Sequence, residues 1–254
     1  MASIPPLNLN PPAGTRILIT GGANGIGRAV AEAYAAHGAR ICILDRTEVR
    51  DAPSDWICMQ GSAASAADNE KCFAEMDRHW GGVDVAHANA GMAMNKPALD
   101  LTEEEWRRTL DLNLTGVFLT AQAAGRRMVA QKSGLILVTS SIYGLTAGAN
   151  RAAYTATKAA VANLVRTLAV EWGPLGIRVN AISPGYVETD MLLALAQRGT
   201  LSLEALKART PLPRLGRPAD IAAMAAFLGS PGAAWINGAV VPVDGGWMAN
   251  GGPE

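Results

Sequence analysis

The chain has few of the residues that staple small folds or hold metals. Its three cysteines, Cys42, Cys58 and Cys72, form no C-x-x-C pair. That spacing argues against a disulfide framework or a thiolate metal centre and for buried or incidental thiols. The three histidines, His37, His79 and His87, lack ligand spacing, so no metal site is expected. Formal net charge is zero, which argues against an electrostatic surface for nucleic acid or anionic lipid. No apolar run approaches the ~20 residues needed to span a bilayer. The stretch Met1–Pro12 is rich in Pro and Asn and lacks a basic patch followed by an apolar run. Residues 1–13 are therefore expected to form a loose leader, and the expected location is the cytoplasm.

Nearly half of the 254 residues are apolar (49%) and 17% are charged, enough apolar material for one sizeable core. Short apolar, β-branched runs alternate with longer helical patterns. Strands are expected at Arg16–Thr20, Arg40–Leu44, Val83–Ala88, Gly134–Ser140, Ile177–Ile182 and Ala239–Val243, with a weaker one at Trp56–Met59. Helices are expected at Gly25–His37, Ala66–Trp80, Thr102–Gln131, Ala152–Trp172 and Pro218–Leu228. Thr102 with Glu105 reads as a capping box. Continuous apolar strands such as Ile17-Leu18-Ile19 indicate a parallel sheet covered on both faces. The expected fold class is α/β: a single Rossmann-type, doubly wound parallel sheet over residues 14–254, with ligands at the carboxyl ends of its strands. Residues 191–213 read as an insertion that forms a substrate lid.

The first strand runs into Thr20-Gly21-Gly22-Ala23-Asn24-Gly25-Ile26-Gly27 and then into a helix. Glycines at 21, 25 and 27 allow a tight turn, a close backbone approach to a pyrophosphate and close helix–strand packing. The spacing G-x-x-x-G-x-G differs from the common G-x-G-x-x-G. Asp45 closes the second strand, where a carboxylate can take the adenosine ribose hydroxyls.

Tyr154 and Lys158 stand four residues apart in a helical pattern and so share one face. A fixed ammonium favours the phenolate, and such a tyrosine can exchange a proton with an alcohol or ketone. Alone, Y-x-x-x-K is a weak signal. Ser140-Ser141, thirteen residues upstream of Tyr154, places a hydroxyl at a strand's carboxyl edge. The whole set resembles the short-chain dehydrogenase/reductase family over roughly Gly14 to Trp247. The matching residues are Thr20–Gly27, Asn89-Ala90-Gly91, Asn113 in Leu112-Asn113-Leu114, Ser141, Tyr154, Lys158, Pro184-Gly185 and Asp244-Gly245-Gly246.

The resemblance implies roles that spacing does not. Ser141 would hold the substrate oxygen, and Tyr154 would be the acid/base. Lys158 would bind the nicotinamide ribose and lower the Tyr154 pKa, while Asn113 would position a relay water. NAD is the expected cofactor. It would be held by Gly21, Asn24, Gly25, Ile26, Gly27, Asp45, Arg46, Gly61, Ser62, Asn89, Ala90 and Gly91, with Tyr154 and Lys158. Pro184, Gly185, Val187 and Thr189 would fix the nicotinamide carboxamide, and Thr189 is equally an N-cap for a following helix. Two departures stand out. Gln60-Gly61-Ser62 lacks the Asp that the family places after its third strand against adenine. His87-Ala88 replaces the usual neighbours of Asn89, and His87 reads as a satisfied strand histidine.

Adjacency to these elements points to a substrate pocket of Ala93, Met94, Ile142, Tyr143, Asn150, Tyr186, Met191 and Leu192, beside Ser141 and Tyr154. Its apolar walls with hydroxyl and amide groups suit a sugar, polyol or other small secondary alcohol. One alternative is an NADPH-dependent reductase of ketoacyl thioesters or steroid-like ketones, with Arg126, Arg127 and Lys132 facing an acidic carrier. The other is a non-catalytic nucleotide-binding regulator. The resemblance implies a homotetramer, or a homodimer, joined through the two long helices.

Overall fold

The computed structural model describes residues 8–199 and 201–250. Seven strands make one parallel sheet: β1 (Arg16–Thr20), β2 (Arg40–Asp45), β3 (Ile57–Gln60), β4 (Val85–Ala88), β5 (Gly134–Thr139), β6 (Ile177–Pro184) and β7 (Val240–Val243). Their order is β3-β2-β1-β4-β5-β6-β7. The order reverses between β1 and β4, which opens a crevice at the carboxyl ends of those strands.

Apolar residues point both ways along each strand because helices cover both faces. Leu18, Cys42, Leu44 and Ala86 pack with Cys72, Phe73 and Met76 of α2 (Ala66–Trp80) and Val161 and Val165 of α5 (Ala152–Trp172). Ile17, Ile19, Ile41 and Ile43 meet Val30 and Tyr34 of α1 (Gly25–Ala35) and Ile221 and Ala225 of α8 (Pro218–Leu228). Tyr34 is fully buried, and its hydroxyl donates to the Ala225 carbonyl at 3.0 Å, tying α1 to α8.

The expected helix Thr102–Gln131 is a rod in three parts. Thr102 caps α3 (Glu103–Leu110) with a complete capping box, and α4 covers Gly116–Gln131. Between them Asp111–Thr115 forms one π turn, closed by Gly116 N–H donating to the Asp111 carbonyl. The wide turn moves Asn113 into the core, where it is fully buried. A pattern built on a 3.6-residue period does not report such a turn.

Other boundaries shift by at most two residues. The stretch expected to form a lid holds α6 (Asp190–Gln197) and α7 (Leu203–Arg209), capped by Thr189 and Ser202. Ile142, Leu192, Leu206, Leu215 and Trp247 cluster beneath it. Residues 1–7 of the expected leader lie outside the described residues. Residues 8–13 dock on the body: Gly232 N–H donates to Asn8 O at 2.9 Å, and Pro11 is buried.

Candidate active site

The crevice continues as a cavity of about 650 Å³ from Asp45 and the glycine loop to Tyr154 and α6. At its nucleotide end, Gly21 and Gly25 have φ of +67° and +56°, left-handed values that favour glycine. A Cβ on Gly27 would collide with the Gly21 carbonyl, so Gly27 serves packing and does not face the cavity. Asn24 makes no side-chain cap at α1, and the first turn carries no acid. The free N–H groups there form a ready anion site. Asp45 is held in place from both sides. Ala23 N donates to Oδ2 at 3.0 Å, and Thr47 N donates to Oδ1 at 2.9 Å.

Asn89 fastens this loop. Its Nδ2 donates to the carbonyls of Thr20 (3.1 Å) and Gly21 (3.0 Å), and its Oδ1 accepts from the Thr139 hydroxyl at 2.9 Å. Thr139 Oγ1 has spent its proton there, so it accepts from His87 Nε2 at 2.9 Å. His87 is therefore a neutral Nε2–H imidazole, and burial lowers its pKa to about 4. Its Nδ1 is buried without a hydrogen-bond partner, so the expected satisfied histidine is satisfied on one side only.

At the chemical end, α5 carries Tyr154 and Lys158 on one face. Lys158 is buried, its Nζ donates to the Thr139 carbonyl at 2.8 Å, and it stands 5.8 Å from the Tyr154 ring centre. Burial lowers its pKa to about 8. Burial also raises the Tyr154 pKa, against a hydrogen bond from Ser141 and the Arg151 charge, which lower it. The sequence reading has Lys158 depressing Tyr154. In the structure desolvation outweighs the Ser141 hydrogen bond and the Arg151 charge at Tyr154, and Lys158 is itself brought below its ordinary value by burial. Ser141 is buried at the end of β5, and its Oγ accepts from Tyr143 N at 3.1 Å.

Asn113 has no hydrogen bond to Lys158 among the described residues. Its amide exchanges hydrogen bonds with the Met92 backbone, at 2.8 Å to N and 2.9 Å to O. The two side chains flank one gap. A Cβ on Gly91 would lie 3.3 Å from Asn113 Oδ1 and 3.5 Å from Lys158 Nζ.

The far wall holds Tyr143 and Tyr186, whose hydroxyls share a hydrogen bond of 2.7 Å, with Trp247 edge-on to Tyr186 at 4.9 Å. Ile26, Arg46, Gly61, Ala90, Pro184, Gly185, Val187, Thr189, Ala93, Ile142, Met191 and Leu192 also line the cavity. Besides Gly27 and Asn113, three further expected residues do not. Asn150 is exposed in a left-handed turn, with its carbonyl taken by Lys96 N. Met94 is buried away from the cavity. Ser62 faces a neighbouring groove, and its backbone N–H is bound to Asp68. Sequence reasoning missed Arg151 and Thr139, which both line the cavity. Their only sequence signal is position, three residues before Tyr154 and two before Ser141.

These residues fit a nicotinamide dinucleotide. The uncapped helix start suits a pyrophosphate, the fixed Asp45 suits a ribose, and the buried Lys158 stands beside Tyr154 at the other end. Site and fold together define a nucleotide-dependent oxidoreductase. A family profile described as "Enoyl-(Acyl carrier protein) reductase" matches residues 21–248. The cis-4-hydroxycyclohexanecarboxylate dehydrogenase of Sinomonas cyclohexanicum is 40% identical over 243 residues, covering 91% of this chain and 96% of that protein. The NAD-dependent glycerol dehydrogenase of Listeria innocua is 38% identical, covering 91% and 92%. A solved structure from Beutenbergia cavernae with bound NADP superposes with a TM-score of 0.86 at 35% identity, covering 93% and 98%. The chain belongs to the short-chain dehydrogenase/reductase family, whose members bind a nicotinamide cofactor.

Proposed function

We propose that this protein is an NAD(H)-dependent dehydrogenase that interconverts a small polar secondary alcohol and its ketone. The observation that carries the reading is Tyr154 in one cavity with Ser141 and the anchored Asp45, its ring centre 5.8 Å from the Lys158 ammonium. Bound NAD supplies the hydride acceptor. Ser141 and Tyr154 hold the alcohol oxygen, and Tyr154 in its phenolate form takes the hydroxyl proton as the carbinol hydride departs. Lys158 holds the opposing charge and binds the nicotinamide ribose. The gap beside Gly91, between Lys158 and Asn113, is the exit for the proton. Gly185, Val187 and Thr189 orient the carboxamide. The relatives' names, a hydroxycyclohexanecarboxylate dehydrogenase and a glycerol dehydrogenase, support an alcohol of this size.

The test is nicotinamide reduction at 340 nm over a panel of polyols, sugars and cyclic secondary alcohols with NAD and with NADP. The reading expects NAD-linked oxidation of at least one alcohol.

An NADPH-dependent reductase of carrier-bound thioesters is the second reading, favoured by the family profile's description. Arg127 offers it little. That guanidinium pairs with Glu70 at 2.6 Å and Asp77 at 2.7 Å and is not free for a carrier. We further propose a cytoplasmic homotetramer joined through α3 to α5, where Trp106, Phe118, Val129 and Val170 stay exposed. Light scattering at micromolar concentration tests the assembly. Among the described residues, no helix is long and apolar enough to cross a membrane.

A further inference from the structure

Arg151 precedes α5 and lines the same cavity as Ser141 and Tyr154. Its guanidinium lies over the Tyr143 ring, 4.9 Å from the centre, and Nη1 donates to Asn95 Oδ1. Tyr143 in turn meets Tyr154 edge-on, with ring centres 6.5 Å apart. One aromatic ring thus separates this cation from the candidate acid/base.

Among the described residues, no carboxylate lies within ion-pair distance of Arg151. Other cations around the cavity are placed differently: Arg46 lines its nucleotide end, and two stand near the chemical end. Lys96, which bridges to Arg151 through the backbone, pairs with Glu105 at 2.8 Å, and Lys158 is bonded to Thr139. A guanidinium carries five N–H donors in a rigid fork, and one amide oxygen satisfies only part of it. A solvated surface arginine would also lack an acid, but it would not be clamped between a ring face and an amide at a cavity wall. The clamp orders the side chain in advance, so a ligand that pairs with it loses less conformational freedom on binding.

We propose that Arg151 is the anchor for a carboxylate on the substrate, which makes the preferred substrate a hydroxy acid, not a neutral polyol. The proposal rests on the dehydrogenase reading above and narrows its substrate class. The planar fork matches a carboxylate in a bidentate geometry. Among the described residues, Arg151 is the one arginine in the cavity lining at the chemical end, and its single charge matches a carboxylate better than a phosphate dianion. The carboxylate would sit across Tyr143 from the reacting oxygen, so the acid group and the carbinol belong on opposite sides of a small ring or short chain.

The test separates binding from turnover. Titration calorimetry of the NAD-loaded protein would use cyclohexanecarboxylate, cyclohexanecarboxamide and cyclohexyl phosphate, none of which can be oxidised at a carbinol. The acid should bind at least tenfold more tightly than the amide and than the phosphate. R151Q should erase the acid's advantage, and R151K should keep part of it. Acid and amide binding wild type equally, or the phosphate binding most tightly, would overturn the assignment, and the wild-type comparison stands even if R151Q misfolds. In parallel, 4-hydroxycyclohexanecarboxylate and cyclohexanol are offered with NAD and with NADP. Oxidation of cyclohexanol with no gain from the carboxylate sinks the Arg151 proposal alone. Selective acid binding without any oxidation sinks the dehydrogenase reading and leaves the anchor standing.

Discussion

Thr139 and Lys158 are joined by a 2.8 Å hydrogen bond from the ammonium to the backbone carbonyl, while the threonine hydroxyl bridges His87 and Asn89. One residue at the end of β5 thereby touches both halves of the site. Its carbonyl sets the height of the lysine under Tyr154, and its hydroxyl sets the amide that grips the glycine loop. With Tyr154 as acid/base, Tyr154→Phe should lower kcat by ~10²–10⁴-fold, the usual contribution of positioned proton transfer, and leave nucleotide affinity nearly unchanged. Lys158→Met should lower kcat comparably and also weaken nucleotide binding. Steady-state rates with fluorescence titration of the nucleotide check both. A Tyr154→Phe enzyme with more than about a tenth of wild-type kcat would remove Tyr154 from its role.

The pH dependence follows from the pair. Burial raises Tyr154 and brings Lys158 down to about 8, so the first proton leaves the Tyr154–Lys158 pair near the lysine's value. Alcohol oxidation needs that proton gone from the pair, because a phenol beside an ammonium has no site left to take the alcohol's proton. The kcat/KM for oxidation should therefore rise with pH through an apparent ionisation at about 8 and then level. Ketone reduction should fall over the same interval. A flat oxidation profile from pH 6 to 10, with a primary deuterium isotope effect showing that chemistry limits the rate, would contradict this mechanism.

His87 gives a stability prediction with a definite sign. Its ordinary pKa of 6.5 falls to about 4 in the fold, so between those values the unfolded chain binds a proton that the native state refuses. The folded form must lose stability as pH drops below 6.5, by about 3 kcal/mol once below 4, at roughly 1.4 kcal/mol per unit. At neutral pH the imidazole is mostly uncharged in both states, so its titration costs little. His87→Gln keeps an N–H for Thr139 and cannot titrate. Urea unfolding at pH 7 and pH 5 should show a smaller acid loss for this variant. Parallel losses in both proteins would show that other groups carry the acid sensitivity.

Much of this was legible in the residues, and the reasons are local. Ile17-Leu18-Ile19 names a strand buried on both faces, and Thr102 with Glu105 names a helix start. Tyr154 and Lys158 share a helix face whatever surrounds them. The π turn at Asp111–Thr115 was not legible, because the hydrogen bonds that accompany it join Asn113 to Met92, 21 residues away, and leave no local pattern. Arg151 was missed for a related reason. Nothing in Asn150-Arg151-Ala152 says which side chain turns inward, and the left-handed backbone of Asn150 (φ +60°) leaves it exposed and Arg151 at the cavity wall. The balance at Tyr154 was misjudged because desolvation, unlike spacing, depends on everything that covers the group.

Cofactor choice rests on Asp45. Its two oxygens already accept from Ala23 N and Thr47 N, so the carboxylate is fixed at the cavity edge and cannot swing away from an approaching group. A ribose 2′-hydroxyl can donate to the remaining lone pairs, whereas a 2′-phosphate cannot donate and brings like charge. Like-charge juxtaposition costs several kcal/mol, against about 1.4 kcal/mol per tenfold in affinity. A preference of 10² or more for NAD in kcat/KM is the expected outcome. Arg46 is the competing influence, because its exposed side chain lines the same end of the cavity and pairs readily with phosphate. It is held by no acid among the described residues, so its charge is mobile, while Asp45 is pinned where the ribose arrives. Asp45→Ser should lower kcat/KM with NAD at least tenfold and raise it with NADP, with Arg46 supplying the phosphate contact. Asp45→Ser combined with Arg46→Ala should then lose the NADP gain. Equal or better use of NADP by the wild type would overturn the Asp45 assignment and move the reductase reading ahead of the dehydrogenase one.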